Sequence, residues 1–318
     1  MTRVAAVDCG TNSIRLLVAD LDECALTKTD VHREMRVVRL GAGVDRTGRL
    51  APEAIERTRA ALVDYAAICR GRGVERIRMV ATSASRDAEN REDFRSMVRE
   101  VLDTDPEVVS GDEEAALSFD GATRGLAADQ GPFLVMDIGG GSTELVLGDG
   151  GPRGGVTAAR SVDIGCVRLT ERHLLADPPT AGQVAAAEAD IDRALALVRE
   201  VVPVDKARTA IGLAGSVTTV AALALGLPAY DAARIHLSRI PADDVRRVTG
   251  ELLGLPRAER AALPVMHPGR VDVIGAGALI LRMMVDRLEL AEILVSEADI
   301  LDGIAWSMSR SATEEGST

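Results

Sequence analysis

Aromatic side chains are almost missing from this chain: Phe, Tyr and Trp together make up 2% of its 318 residues. Its cores must therefore be filled by Ala, Val, Leu and Ile, a stock that suits Ala-rich helices and Val- and Leu-rich strands. Lysine is equally scarce, with Lys28 and Lys206 alone among 37 basic residues. That bias reads mainly as base composition of the gene, although arginine also supplies the planar fork that binds phosphate bidentately. No CxxC or metal-ligand spacing relates Cys9, Cys24, Cys69 and Cys166. Reduced thiols in a cytoplasmic protein are expected, not a disulfide framework or a zinc site. Long apolar runs are lacking too. Residues 4–7 are apolar but stop at Asp8, and the run around Leu223 is short. Neither a signal-peptide core nor a membrane span is expected. Finally, there is no excess of positive charge: the formal charge of −12 argues against a general nucleic-acid binder.

What the chain does contain is the composition of a globular protein, 47% apolar and 27% charged, and enough length for two ordinary domains. Strand and helix patterns alternate. The first half predicts strands over 4–7, 14–21 and 35–40. A helix from Pro52 follows, with Ile55, Leu62, Tyr65 and Ile68 on one face, ended by Gly71 and Gly73. Strand 77–81, helix 91–102, strand 107–109 and a helix from about Asp112 complete it. The second half repeats the plan, with strands over 133–136, 143–147 and 156–162, helix 181–201, strand 209–213 and helix 217–225. Helical segments then run to Leu288, strand 293–295 follows, and a last helix starts near Ala298. These patterns predict domains over 1–125, with a returning helix at about 299–312, and over 126–298. The Ser-, Thr- and Glu-rich tail at 313–318 is expected to be disordered.

An internal repeat carries the functional argument. Val7-Asp8-Cys9-Gly10-Thr11-Asn12-Ser13 and Met136-Asp137-Ile138-Gly139-Gly140-Gly141-Ser142 align without gaps at an offset of 129. The match continues through Leu16/Leu145, Leu17/Val146, Val18/Leu147 and Asp20/Asp149. Each copy is an apolar strand, an aspartate at its end, a glycine turn, a serine and a second apolar strand. Glycines let main-chain N–H groups approach an anion, the serine hydroxyl adds a donor, and a strand-end aspartate can hold a divalent cation. Two such turns facing each other would clamp one phosphate chain between domains. One copy alone reads equally well as a hairpin with a glycine turn; two copies in register, both keeping Asp and Ser, favour phosphate. A third glycine turn, Gly212-Leu213-Ala214-Gly215-Ser216-Val217-Thr218-Thr219, lies between a strand and a helix. There a helix N-terminus favours an anion, although a simple capped helix start explains the pattern as well.

Strand–turn–strand repeats with Asp-Gly turns resemble the actin/Hsp70/sugar-kinase superfamily. Within it, the sequence closely resembles the exopolyphosphatase/guanosine pentaphosphate phosphatase family. The residues that carry this are Asp8 to Ser13, Ala81-Thr82-Ser83-Ala84-Ser85-Arg86-Asp87-Ala88-Glu89-Asn90 and Ser110-Gly111-Asp112-Glu113-Glu114-Ala115. With them go Asp137 to Glu144, Gly165-Cys166-Val167-Arg168-Leu169-Thr170-Glu171, Ala214 to Thr219 and Asp299-Ile300-Leu301-Asp302-Gly303. The resemblance spans nearly the whole chain. It implies an α/β, two-domain actin-like (ribonuclease H-like) fold with an internal duplication, and removal of terminal orthophosphate with Mg²⁺ (or Mn²⁺) and an activated water.

On that template Glu114 is the general base, with Glu113 beside it as the second choice. From the residues alone the pair is equally readable as ordinary first-turn helix charge. Asp137 would hold the metal, assisted by Asp8 or Glu144. Phosphate would be bound by Gly10, Thr11, Asn12, Ser13, Gly139, Gly140, Gly141, Ser142, Gly215 and Ser216, and bidentately by Arg86, with Arg168 second for that duty. The substrate would be polyphosphate or guanosine pentaphosphate (pppGpp), and the resemblance makes a homodimer the expected assembly. Longer members of the family carry additional C-terminal helical domains; their absence here favours short polyphosphates or a nucleotide. A weakly catalytic regulator that binds an alarmone or polyphosphate, an ATP-dependent kinase and an actin-like filament protein are the other readings. The net charge opposes any anionic substrate, so local arginines and a metal would have to overcome the global field.

Overall fold

The structure, a computed structural model, describes residues 1–22, 27–151 and 154–314, with the main chain alone from 310. Cys24 and the end of the expected tail, from 315, lie outside the described residues. The chain divides into two units, Met1–Gly121 with Ile300–Thr318, and Ala122–Asp299.

In unit 1 the strands β1 (Thr2–Cys9), β2 (Ser13–Asp22), β3 (Thr27–Val37), β4 (Arg76–Ala81) and β5 (Glu107–Val108) form one sheet in the order β3-β2-β1-β4-β5. Its helices are α1 (Val44–Thr47), α2 (Pro52–Gly71), α3 (Ser83–Asp87), α4 (Arg91–Leu102) and α5 (Gly111–Thr123), joined by the closing helix Ile300–Glu314. The middle of β1, Val4 to Val7, is apolar on both faces because both faces of the sheet are covered. Ala5, Val7 and Cys9 enter a core with Leu62 and Tyr65 of α2 and Phe94 of α4. Val4 and Ala6, pointing the other way, pack with Leu117 of α5 and with Ile304 and Trp306 of the closing helix. Tyr65 also donates its hydroxyl to the carbonyl of Ile14 at 3.1 Å, so its one polar atom is satisfied inside the core.

Unit 2 repeats this plan. β6 (Phe133–Ile138), β7 (Thr143–Asp149), β8 (Gly155–Val162), β9 (Thr209–Leu213), β10 (Arg239–Pro241) and β11 (Glu292–Val295) form a sheet in the order β10-β11-β9-β6-β7-β8. The helices are α6 (Cys166–Arg172), α7 (Ala181–Arg199), α8 (Ala214–Ala224), α9 (Ala232–Ile235), α10 (Ala242–Gly254), α11 (Arg257–Ala261) and α12 (Ile274–Arg287). Strands β8-β7-β6-β9-β11 match β3-β2-β1-β4-β5, and β10 is an added antiparallel edge. The duplication holds rung by rung. Asp8 pairs with Arg15 where Asp137 pairs with Glu144, and Val7 with Leu16 where Met136 pairs with Leu145. Even the irregularity is copied: pairing to the third strand shifts between Val18 and Ala19 in unit 1 and between Leu147 and Gly148 in unit 2. Two sheets with one topology bear out the two-domain α/β class with an internal duplication.

Several boundaries depart from expectation. The third strand begins at Thr27, not 35, because it is a sheet edge whose polar side chains, Lys28, Asp30, Arg33 and Glu34, form ion pairs at the surface. The helix expected over 217–225 starts at Ala214, so Gly215 and Ser216 lie in its first turn. β10 was not foreseen in a stretch that reads as helical, and the closing helix starts at Ile300. Among the described residues no helix is long and apolar enough to cross a membrane, and Cys9, Cys69 and Cys166 are buried free thiols.

Candidate active site

The chemistry-bearing residues of unit 1 gather at the carboxyl ends of β1, β4 and β5, where open α/β sheets bind ligands. After β1 the chain turns tightly, with the Gly10 N–H donating to the carbonyl of Ser13 at 3.0 Å. The carbonyls of the turn face inward. Thr11 accepts from Gly41 at 2.8 Å, and Asn12 accepts from Val38 at 3.1 Å and Arg39 at 2.8 Å. A side chain on Gly41 would overlap the methyl of Thr11, so this prop needs a glycine. The N–H groups of Thr11 and Asn12 find no main-chain acceptor among the described residues, as an anion-binding turn requires.

Thr11 Oγ1 and Ser83 Oγ lie 2.8 Å apart, which ties the turn to the start of α3. Arg86, three residues on, directs Nη1 to the Val109 carbonyl at 3.1 Å and to Glu114 Oε2 at 3.2 Å. Glu114 is buried at 8% exposure, whereas the Glu113 carboxylate is 47% exposed and turns to Arg78 at 3.0 Å. The two adjacent carboxylates therefore have different surroundings, and the enclosed one faces the arginine of the Thr-x-x-x-Arg segment.

Asp8 lies 2.7 Å from Arg15 Nη2 and 2.9 Å from its Nε. Sequence reasoning passed over Arg15. The signal was available, because residues seven apart across this tight hairpin are cross-strand partners.

Unit 2 builds the equivalent turn with the same bond, Gly139 N–H to the Ser142 carbonyl at 3.0 Å. Here α6 does the bracing. Cys166 donates to the Gly139 carbonyl at 3.0 Å, and Val167 and Arg168 donate to that of Gly140 at 2.9 and 3.2 Å. Arg168 Nε reaches the Gly141 carbonyl at 2.8 Å, so this arginine braces the turn. Gly165 lies so close to Gly140 that any Cβ would overlap the Gly140 main chain.

Asp137 and Glu144 are direct cross-strand partners and share one face. Both are buried, and Glu144 accepts from Ser161 Oγ at 2.7 Å. Among the described residues no cluster of three or more His, Cys, Asp or Glu is assembled for a metal. A pair of hard carboxylate oxygens still fits Mg²⁺, which binds through one or two carboxylates and keeps waters and phosphate oxygens for the rest. Asp8 fits that duty less well, since Arg15 already compensates its charge.

The third turn lies at the start of α8. Ala214 adopts a left-handed φ of 69°, and Thr219 bonds back to the Gly215 carbonyl at 2.7 Å. Ser216 is buried against Gly277 beside Cys166, whose thiol is pushed up by burial. Arg270 lies against Gly215 and donates to Thr219 Oγ1 at 3.2 Å. No sequence spacing links Arg270 to the turn, which it joins only through the fold.

The profile of the Ppx/GppA phosphatase family matches residues 17–312. Exopolyphosphatase 2 of Mycobacterium tuberculosis is 52% identical over 97% of this chain and 99% of its own length. A guanosine-5'-triphosphate,3'-diphosphate pyrophosphatase of Aeromonas salmonicida is 29% identical over 96% of this chain and 59% of its own. Among solved structures, an exopolyphosphatase-like protein superposes with a TM-score of 0.93 at 42% identity, covering 98% of this chain and 100% of that one. A Ppx/GppA family member of Aquifex aeolicus does so with a TM-score of 0.77 at 28% identity, covering 100% and 99%. The profile match and the 52% identity run through nearly all of one chain with two matching glycine turns: the chain belongs to the Ppx/GppA phosphatase family.

Proposed function

We propose that this protein is an exopolyphosphatase that hydrolyses the terminal phosphoanhydride of inorganic polyphosphate, short chains above all, and releases orthophosphate. The observation that carries the reading is the enclosed Glu114, 3.2 Å from Arg86 and on the same sheet edge as the Gly10 turn. A carboxylate base beside a phosphate-binding cation is what water activation needs. Exopolyphosphatase is also what the Mycobacterium tuberculosis relative is called.

Glu114 takes a proton from water as its oxygen attacks the terminal phosphorus in line. The bridging P–O bond breaks, and its electrons leave on the shortened chain. Arg86 and the N–H groups of Thr11, Asn12, Gly140 and Gly141 are the proposed phosphate donors, with Ser13 and Ser142 beside them. Gly215 and Ser216 contribute through the shape of the third turn. Asp137 and Glu144 would hold Mg²⁺ (or Mn²⁺), which, when bound, offsets charge on the phosphate oxygens. Asp8, paired with Arg15, is left out of that set. A cytoplasmic homodimer completes the proposal.

The Aeromonas relative favours a second reading, 5′-phosphohydrolysis of guanosine pentaphosphate. Orthophosphate release with Mg²⁺ from short polyphosphate, long polyphosphate and guanosine pentaphosphate separates the two. Glu114→Gln keeps shape and removes the base, so turnover should fall by roughly two orders of magnitude or more while binding survives. No release from polyphosphate of any length by the wild type would overturn the first reading. Tight binding with negligible turnover would point to a regulator.

A further inference from the structure

Three successive carboxylates, Asp112, Glu113 and Glu114, open α5, and only Glu114 is used by the proposed chemistry. Successive helical residues point about 100° apart, so whatever holds Glu113 also sets the direction of Glu114. Glu113 is held by Arg78, a residue of β4 whose side chain is 19% exposed. Arg78 Nη2 donates to Glu113 Oε1 at 3.0 Å and to Glu107 Oε2 at 2.6 Å, Nε donates to Glu107 Oε1 at 3.0 Å, and Nη1 donates to Ser307 Oγ at 2.6 Å. One guanidinium thus joins β4, β5, α5 and the closing helix, all within unit 1.

A second contact points the same way. Any Cβ on Gly303 of the closing helix would overlap the carbonyl of Leu117, so that helix rests directly on α5 about one turn beyond Glu114. The helix start is also tied at Ser110, whose Oγ accepts from the Glu113 N–H at 3.2 Å. An isolated surface ion pair contributes little. A planar fork engaged by three partners at once has its geometry fixed, and it can transmit that geometry.

We propose that Arg78 is a positioning residue for the hydrolysis: through Glu113 it fixes the rotation of the first turn of α5 and thereby aims the Glu114 carboxylate. Arg78 acts without touching substrate. The inference rests on the reading of Glu114 as the base.

The test is steady-state orthophosphate release from short polyphosphate with Mg²⁺ by Arg78→Gln, Glu113→Gln, the double variant, Arg78→Lys and Glu114→Gln, with thermal unfolding of each. Misaiming a base by a fraction of an ångström should lower kcat by about 10-fold with KM unchanged. The double variant should be no slower than either single one, and Arg78→Lys should recover part of the loss. Wild-type kcat in Glu113→Gln overturns the proposal, and because that side chain is half exposed the variant should fold even if Arg78→Gln does not. Additive losses, or losses in KM and kcat together, overturn it as well. Glu114→Gln separates the two ideas. If it keeps full turnover, the base assignment itself falls. If it is inactive while Glu113→Gln is normal, only the positioning role falls.

Discussion

Arg15 and Glu144 stand on the same rung of two matching ladders and carry opposite charges. Beside Asp8 the arginine neutralises the strand-end carboxylate, while beside Asp137 the glutamate doubles it. On the proposed reading, one duplicated hairpin would take an anion, and the other a cation that an anion shares. His267 is a second residue whose surroundings decide its charge. Partial desolvation, then the Arg270 guanidinium, holds the pKa of this largely exposed residue below the ordinary 6.5. The unfolded chain then takes up a proton at a higher pH than the native one. The stabilisation from this group is complete above pH 6.5 and is lost as the pH falls through the lower folded value. Urea unfolding over this range should show wild-type stability falling more steeply than that of His267→Gln. Parallel slopes would show that the residue has no such influence.

Among the elements, the segments that follow the third strand of each sheet matter most to the turns. They offer N–H groups to the inward carbonyls of the turn and so leave its own N–H groups for an anion. Gly165 makes that approach possible in unit 2. Gly165→Ala forces α6 or the turn to move, and overpacking of this kind should cost about 1–3 kcal/mol of stability. Turnover should fall with it. Urea midpoints and orthophosphate release check both, and an unchanged midpoint would show that the loop yields freely. The hairpins β1–β2 and β6–β7 were legible in the sequence because aspartate, glycine and serine recur at one offset between apolar runs. The polar part of β3 was not, since alternating charge on a sheet edge looks like a loop. β10 was missed because three residues carry too little periodicity to register. Of the proposed functional residues, Glu114, Asp137 and Arg86 stand in family motifs, and Arg15 could have been found from the hairpin register. Arg78 and Arg270 could not, because their partners Glu113, Ser307 and Gly215 lie 35 or more positions away and only the fold joins them.

At the scale of the whole molecule, unit 1 is built from two separated stretches of chain and unit 2 from one. Val4, Ala6, Leu17, Leu21 and Val80 form one apolar face of the first sheet, and Ile300, Ile304, Trp306 and Met308 of the closing helix cover it. A chain stopped after Asp299 leaves most of that face uncovered, with Val109 and Leu117 of unit 1 still against it. It should aggregate or bind a hydrophobic dye, whereas residues 122–299 expressed alone should be soluble and unfold cooperatively. Sedimentation and calorimetry of the two fragments check this, and a soluble, cooperatively folding 1–299 fragment would contradict it. The same covering helix reverses birth order. The first strands leave the ribosome long before their cover, which follows roughly 280 residues and some 14–56 s later at ordinary synthesis rates. The half of the protein made first is the half finished last, and a nascent chain spends that interval showing a partly unroofed sheet to every chaperone in reach.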